Sequence, residues 1–93
     1  MKKFFYRVGK NEDLLDISVK IQVPQRIIVF ENKLSRQPEE GDILYIEKPD
    51  GEFIVVSPTD TVKCLSQKYG KSEERILAEN CTEYVFFGQQ LIV

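Results

Sequence analysis

The sequence predicts an α+β fold built from two consecutive βααβ units. Two stretches, 11–19 and 59–67, each join an acidic turn to an amphipathic helical pattern. Each is preceded by a β-prone segment and followed by a second helical pattern, a polar loop and a β-prone segment opened by glycine. Asn80 follows Asn32 by 48 residues and Gly88 follows Gly41 by 47, so one pattern occurs twice with a single length change in a loop.

The predicted units are residues 4–48 and residues 53–93, joined by a short linker at 49–52. In each unit we expect two antiparallel strands with both helices on one face of the ribbon. A two-stranded ribbon is marginal alone, and a unit this small buries little core, so contact between the units is expected to add stability. The linker region, Lys48-Pro49-Asp50-Gly51, is rich in turn formers and short enough to favour packed neighbours.

The elements of the first unit follow from local signals. Phe4–Val8 is short, aromatic and typical of a strand. Asp13 is a suitable N-cap for the first helix, and Pro24 suits the first turn of the second, which Asn32 would end in a left-handed conformation. Asp42–Glu47 is the closing strand. The apolar face of the first helix is formed by Leu14, Ile17, Ser18 and Ile21.

The second unit repeats this order. Phe53–Val56 is typical of a strand, Thr61 occupies the N-cap position, and Ser72 caps the next helix with acids in its first turn. Ile76 and Leu77 supply the buried side of that helix. The helix face that matches the first unit is formed by Val62, Leu65, Ser66 and Tyr69, and the closing strand by Leu91, Ile92 and Val93.

Composition excludes several classes of function. The chain has 13 Lys and Arg against 15 Asp and Glu, a net charge of −2, so no basic field attracts nucleic acid or an anionic membrane. No apolar run reaches the roughly 18 residues of a membrane span, so membrane insertion is not expected. No secretory leader is recognisable, because Arg7 interrupts the apolar start; as written, the chain is expected to be cytoplasmic.

Candidate catalytic and metal-binding groups are sparse. The chain has no histidine, the commonest general base and metal ligand, and two cysteines, Cys64 and Cys81. Neither thiol has a histidine partner, and both are expected to be reduced, with a Cys64–Cys81 disulfide as the alternative. The pairs Glu39-Glu40 and Glu73-Glu74 are expected on solvated surfaces, since glycosidase chemistry needs a deep cleft. We therefore expect no enzyme activity, no metal site and no cofactor.

The complete order of motifs carries a family resemblance. The second unit holds it best, in Phe53-Ile54-Val55-Val56, Thr59-Asp60-Thr61-Val62, Leu65-Ser66, Tyr69-Gly70, Glu79-Asn80 and the stretch from Val85 to Val93. The first unit keeps Tyr6-Arg7-Val8, Leu14, Ile17-Ser18, Asn32 and the stretch from Gly41 to Ile46. This combination resembles the LysM (lysin motif) family, in tandem, over residues 5–93.

The resemblance implies binding of polymers that contain N-acetylglucosamine, such as peptidoglycan or chitin fragments, with cell-wall or spore-envelope association. In the family the sugar lies in a shallow groove between two loops. Carried onto the second unit, one wall is Thr59, Asp60, Thr61 and Val62, and the other is Cys81, Thr82, Glu83, Tyr84, Val85 and Phe86. A weaker groove in the first unit would set Asn11, Glu12, Asp13 and Leu14 against residues 33–38.

The residues themselves suggest how such grooves would work and differ. An acetamide needs one donor and one acceptor, and its methyl group and the C–H face of the sugar need apolar contact, for which Tyr84 is the aromatic expected to be most exposed. The first groove has Glu12-Asp13 in place of Asp-Thr and a polar opposite lip, so binding is expected mainly in the second. The alternative function is a protein-interaction or assembly module of a spore envelope or a cytoplasmic complex.

Overall fold

The computed structural model describes residues 1–93 and has the predicted α+β architecture, two βααβ units in sequence. The first unit consists of β1 (Lys2–Arg7), α1 (Leu14–Ile21), α2 (Gln25–Asn32) and β2 (Ile43–Lys48). The second consists of β3 (Phe53–Val55), α3 (Val62–Tyr69), α4 (Glu73–Glu79) and β4 (Gln90–Ile92). Residues 49–52 connect the two units.

Each unit has its own two-stranded antiparallel sheet, β1–β2 and β3–β4. The ladders continue past the strand ends in the same way. The Val8 amide donates to Asp42 and the Gly41 amide to Val8, and the Val56 amide likewise donates to Gln89 and the Gly88 amide to Val56. The bounds differ slightly from prediction: β1 begins at Lys2 rather than Phe4, because it pairs with β2 as far as Lys48.

The helix starts are built as predicted. The Asp13 side chain accepts from the Asp16 amide, and the Asp16 side chain accepts from the Asp13 amide, which makes a complete capping box. Thr61 and Ser72 cap α3 and α4 through their hydroxyl groups. Pro24 lies one position earlier than expected, as the N-cap residue of α2, where its missing amide hydrogen costs nothing.

The end of α2 differs from the prediction. The left-handed residue is Lys33, with φ of 50°, and Asn32 remains helical. Asn32 is instead used through its side chain, which donates to Ile28 O and Tyr45 O and accepts from the Tyr45 amide. The carboxamide therefore joins α2 to β2.

Asn80 makes the same set of bonds in the second unit. Its side chain donates to Ile76 O and Ile92 O, at 2.8 and 2.9 Å, and accepts from the Ile92 amide at 2.7 Å. Glu52 and Val93 exchange both backbone hydrogen bonds, so the adjacent Phe53–Ile92 pair is one whose polar groups point away from the ladder. The carboxamide satisfies this edge of β4 as a further strand would.

The two units have separate cores that touch. The cluster of the second unit is Val56, Leu65, Ile76, Leu91 and Val93. The cluster of the first unit is Val8, Leu14, Ile17, Val23, Ile27, Ile28, Leu44 and Ile46, joined by Ile92 from the second unit. Ile92 is buried there because neighbouring residues on a strand face opposite sides, so Leu91 packs on α3 and α4 while Ile92 packs on the first unit.

A polar contact fixes this junction. Gln90, on the same face as Ile92, accepts from the Ser18 hydroxyl at 2.7 Å and from the Gln25 amide at 2.9 Å. Phe53 packs against the core of the first unit beside it. One face of the second sheet is thus covered by its own helices, and the other, apart from the exposed Val55, by the α1–α2 corner of the first unit. The expected contact between the units is present.

Candidate functional site

The candidate site is the rim of the second unit where two loops leave the same end of the β3–β4 sheet. The loop at 57–61 follows β3 and the loop at 81–89 precedes β4. The Val56 amide donates to Gln89 O and the Gly88 amide donates to Val56 O, both at 2.9 Å, which ties the bases of the two loops together. Val62 and Val85, one from each wall, pack against the same core cluster. The structure therefore brings the two predicted walls side by side.

The first wall is a turn closed by Asp60. Its carboxylate accepts from the Ser57 amide at 3.0 Å, and the pKa of Asp60 is lowered because Ser57 donates to the ionised form. Thr59 is exposed. The Thr61 hydroxyl accepts a hydrogen bond from the Cys64 amide, as the N-cap of α3. The Val62 amide, the first of α3, has no acceptor in the chain.

The second wall is held by polar groups inside the loop. The Thr82 hydroxyl donates to Tyr84 O, and the Gln89 side chain donates to that same hydroxyl while accepting from the Phe86 amide. Thr82 and Gln89 are both buried. Thr82 was predicted to line the groove, but its side chain lies within the loop and fixes the shape of the wall.

Exposed aromatic side chains lie on this wall. Tyr84 is 61% exposed and Phe87 70% exposed. The ring of Phe86 lies 5.7 Å from the ring of Tyr84, centroid to centroid, in a tilted arrangement. Glu83 is exposed beside them, whereas Val85 is half-buried under the loop. Tyr84 is available as predicted, and Phe87 adds an aromatic surface that the prediction did not include.

Cys81 lies away from the groove to which it was assigned. Its backbone is left-handed, with φ of 53°, and its side chain packs against the core of the first unit. Burial and the nearby Glu31 carboxylate raise the pKa of its thiol, partly opposed by Arg26. Cys64 is exposed on α3, and both thiols are free. Cys81 therefore belongs to the junction between the units.

The corresponding turn of the first unit is closed by Glu12. Its carboxylate accepts from the Tyr6 hydroxyl at 2.7 and 2.9 Å and from the Gly9 amide at 2.7 Å, with Lys20 at 3.8 Å. The Tyr6 hydroxyl and the Gly9 amide lower the pKa of Glu12. Glu12 lies 48 residues before Asp60 and closes its turn in the same way, so its carboxylate is hydrogen-bonded within the turn. Asn11, also exposed, is left-handed with φ of 58°.

The groove of the first unit is bridged by its own side chain. Gln37, in the loop between α2 and β2, accepts from the Leu14 amide at 2.8 Å through its side-chain oxygen. Leu14 corresponds to Val62, so the backbone donor that is free in the second unit is occupied in the first. Asp13 is committed to the capping box and Leu14 is buried. In the first unit a hydrogen bond therefore joins the two predicted walls and occupies this donor.

A cleft of 440 Å³ lies between the units. Phe86, which was assigned to the groove, also lines this cleft. Arg26, a residue of α2 in the first unit, also lines it. The other lining residues are Leu14, Gln25, Val29, Gly88, Gln89 and Gln90.

Sequence reasoning missed two residues that shape the second rim, Phe87 and Gln89. Phe87 is adjacent to predicted site residues in an aromatic run, which is a usable signal. Gln89 follows a turn glycine and accepts from the amide three residues before it, as Asp42 does from Glu39 in the first unit. Gln37 lies within the predicted wall at 33–38, but its bond to the Leu14 amide has no local signal, because the two residues are 23 positions apart.

Other kinds of site have little to build on. No three of the Asp, Glu and Cys side chains are grouped so that they could hold a metal ion. None of the four helices combines the length and apolarity that crossing a bilayer requires.

Comparison with known proteins finds similar solved structures at low sequence identity. No family model matches the sequence, and no curated protein matches it. Among solved structures, the Bacillus cereus spore cortex-lytic enzyme SleL has 21% identity and a TM-score of 0.48, with 100% of this chain and 23% of that chain covered. The Bacillus megaterium QM B1551 SleL has 19% identity and a TM-score of 0.46, with 96% of this chain and 22% of that chain covered. The chain spans under a quarter of either enzyme.

Proposed function

We propose that this chain is a tandem LysM protein that binds glycans containing N-acetylglucosamine, such as peptidoglycan or chitin fragments, mainly through its second unit and without catalysis. One observation carries the proposal. The two units share one architecture, but the Leu14 amide is bonded to Gln37, while the corresponding Val62 amide has no acceptor in the chain and the facing loop of the second unit carries the exposed rings of Tyr84 and Phe87. Only the second rim offers a donor and aromatic surface together.

The chemistry of the second rim suits an acetamidosugar. The acetamide carbonyl accepts one hydrogen bond and its amide donates one, which loop backbone groups can match. Its methyl group and the C–H face of the ring contact aromatic side chains such as Tyr84. A shallow rim makes each contact weak, so a polymer that engages several molecules or both units gains by effective concentration.

The absence of catalysis is part of the proposal and has a physical basis in the groove. Asp60 is the carboxylate on the first wall, and its pKa is lowered by Ser57. A general acid for glycoside cleavage needs a raised pKa, as burial provides, and Asp60 has the opposite shift. Purified protein should release no sugar or peptide from cell-wall material, and any hydrolysis would overturn this part of the proposal.

Co-sedimentation with insoluble peptidoglycan and with chitin, side by side, tests the binding. The wild type should sediment with at least one polymer, and Tyr84→Ala should weaken binding by about fivefold, since an aromatic contact is worth about 1 kcal/mol. Phe30→Ala is the matched control, because Phe30 is 66% exposed on α2. Equal loss in both variants, or no sedimentation of the wild type with either polymer, would overturn the proposal.

A further inference from the structure

The outer face of the β1–β2 sheet is an exposed apolar patch with charged ends. Its three rungs pair Arg7 with Ile43, Phe5 with Tyr45, and Lys3 with Glu47. Alternate residues of the same strands, such as Tyr6 and Leu44, face the core. Phe5 is 72% exposed and Ile43 59% exposed. The Phe5 and Tyr45 ring centroids lie 5.6 Å apart, so the middle rung is a continuous aromatic surface.

The corresponding face of the second sheet is covered where Phe53 and Ile92 lie, whereas Val55 on the same face is 57% exposed. Phe53 and Ile92, which match Phe5 and Tyr45, pack against the core of the first unit. The repeat therefore shows what this side of a unit does when a partner is present: it buries its middle rung. Only the first sheet leaves that rung exposed.

We propose that this face, defined by the six residues of its three rungs, binds a second copy of the chain as an isologous dimer. A two-fold axis parallel to the strands stacks β1 on β2 of the partner and keeps every rung level. Phe5 then faces Tyr45 of the other copy, and Lys3 faces Glu47 twice. The perpendicular axis would set Arg7 over Lys3 and Ile43 over Glu47, so charge selects the first arrangement.

The charged residues of this face are free to make those contacts. Neither Lys3 nor Glu47 belongs to any ion pair within the chain, although Glu47 accepts a hydrogen bond from the Tyr45 hydroxyl at 2.8 Å. Two small sheets stacked about 10 Å apart give an apolar centre with a polar rim, which is the usual anatomy of an interface. Six residues a side make a small interface, so the dimer should be weak and reversible.

Sedimentation velocity of the full chain from micromolar to millimolar concentration tests the proposal. The wild type should pass from monomer to dimer. Phe5→Glu should raise the dimer dissociation constant by about tenfold or more, because a buried charge replaces an aromatic contact. Phe30→Glu, an exposed aromatic on α2, should leave it unchanged. Circular dichroism checks that every variant is folded.

Charge reversal makes the test specific to the proposed axis. Lys3→Glu alone and Glu47→Lys alone should each weaken the homodimer, and an equimolar mixture of the two should restore dimers, since each reversed charge meets its opposite across the interface. A monomeric wild type at every concentration, dimers indifferent to Phe5→Glu, or a mixture that fails to associate would each overturn the proposal. Glycan-induced shifts at Phe5 in a monomeric protein would assign the face to sugar instead.

Discussion

Replacing Asn80 by alanine should destabilise the protein more than almost any other single polar substitution. The side chain is 1% exposed and makes three hydrogen bonds, two of them to Ile92. Ile76 O keeps the Asn80 amide as a donor at 3.3 Å, so the orphaned groups are the Ile92 amide and carbonyl. An unsatisfied buried group costs about 1–3 kcal/mol, so the two together should lower the free energy of unfolding by about 2–6 kcal/mol.

Urea unfolding followed by circular dichroism measures this loss. For a domain of this size, 1 kcal/mol corresponds to about 4–8 °C, so the melting temperature should fall by about 10 °C or more. Asn32→Ala is the matched comparison: it makes the same three bonds but is only part-buried, so water can replace some of them and its loss should be smaller. A loss below about 0.5 kcal/mol for Asn80→Ala would refute the reasoning, since it would show that the β4 edge does not depend on the carboxamide.

Three further predictions follow from single contacts. Gln37→Ala removes the acceptor of the Leu14 amide and should lower the free energy of unfolding in urea by about 0.5–1.5 kcal/mol. The Leu14 amide should also lose protection from hydrogen exchange, and unchanged protection would contradict the hydrogen bond to Gln37. The pKa of Asp60 is lowered below the ordinary 3.8, so the stability that its carboxylate contributes is complete at neutral pH and is lost as pH falls through the lowered pKa. In Asp60→Asn the urea midpoint should therefore depend less on pH in that acid range than in the wild type. Parallel curves for the two proteins would contradict this. Cys64 should react with iodoacetamide faster than Cys81 by mass spectrometry at neutral pH, because Cys81 is part-buried with a raised pKa; equal rates would contradict its placement at the junction.

Much of the fold could be predicted because its signals are local. Helix periodicity placed Leu14 and Leu65 in the cores, and the capping residues Asp13 and Thr61 fixed the helix starts. The repeat then supplied the strand pairing, since one unit confirms the reading of the other. Asn32 was recognised as a helix-end position, but the left-handed conformation predicted for it was wrong. Its side chain instead joins α2 to β2, and this depends on a partner 13 residues away.

The candidate site was predicted less completely, because a groove is defined by which side chains remain unused. Thr82 and Cys81 belong to the right loop, but one turns inward to Gln89 and the other packs on the first unit. The hydrogen bond from the Leu14 amide to Gln37 could not be predicted from spacing, since a long flexible side chain chooses its partner only in three dimensions. Coverage of Ile92 by the first unit is likewise a product of packing between the repeats.

Amide chemical shifts of the full chain, recorded while an N-acetylglucosamine oligomer is added, test the central claim most directly. Binding by the second unit predicts shifts at the Val62 amide and through 57–62 and 82–87, with the Leu14 amide and its neighbours at 11–13 unmoved. Shifts confined to the first unit, or no shifts at millimolar oligomer, would contradict the account.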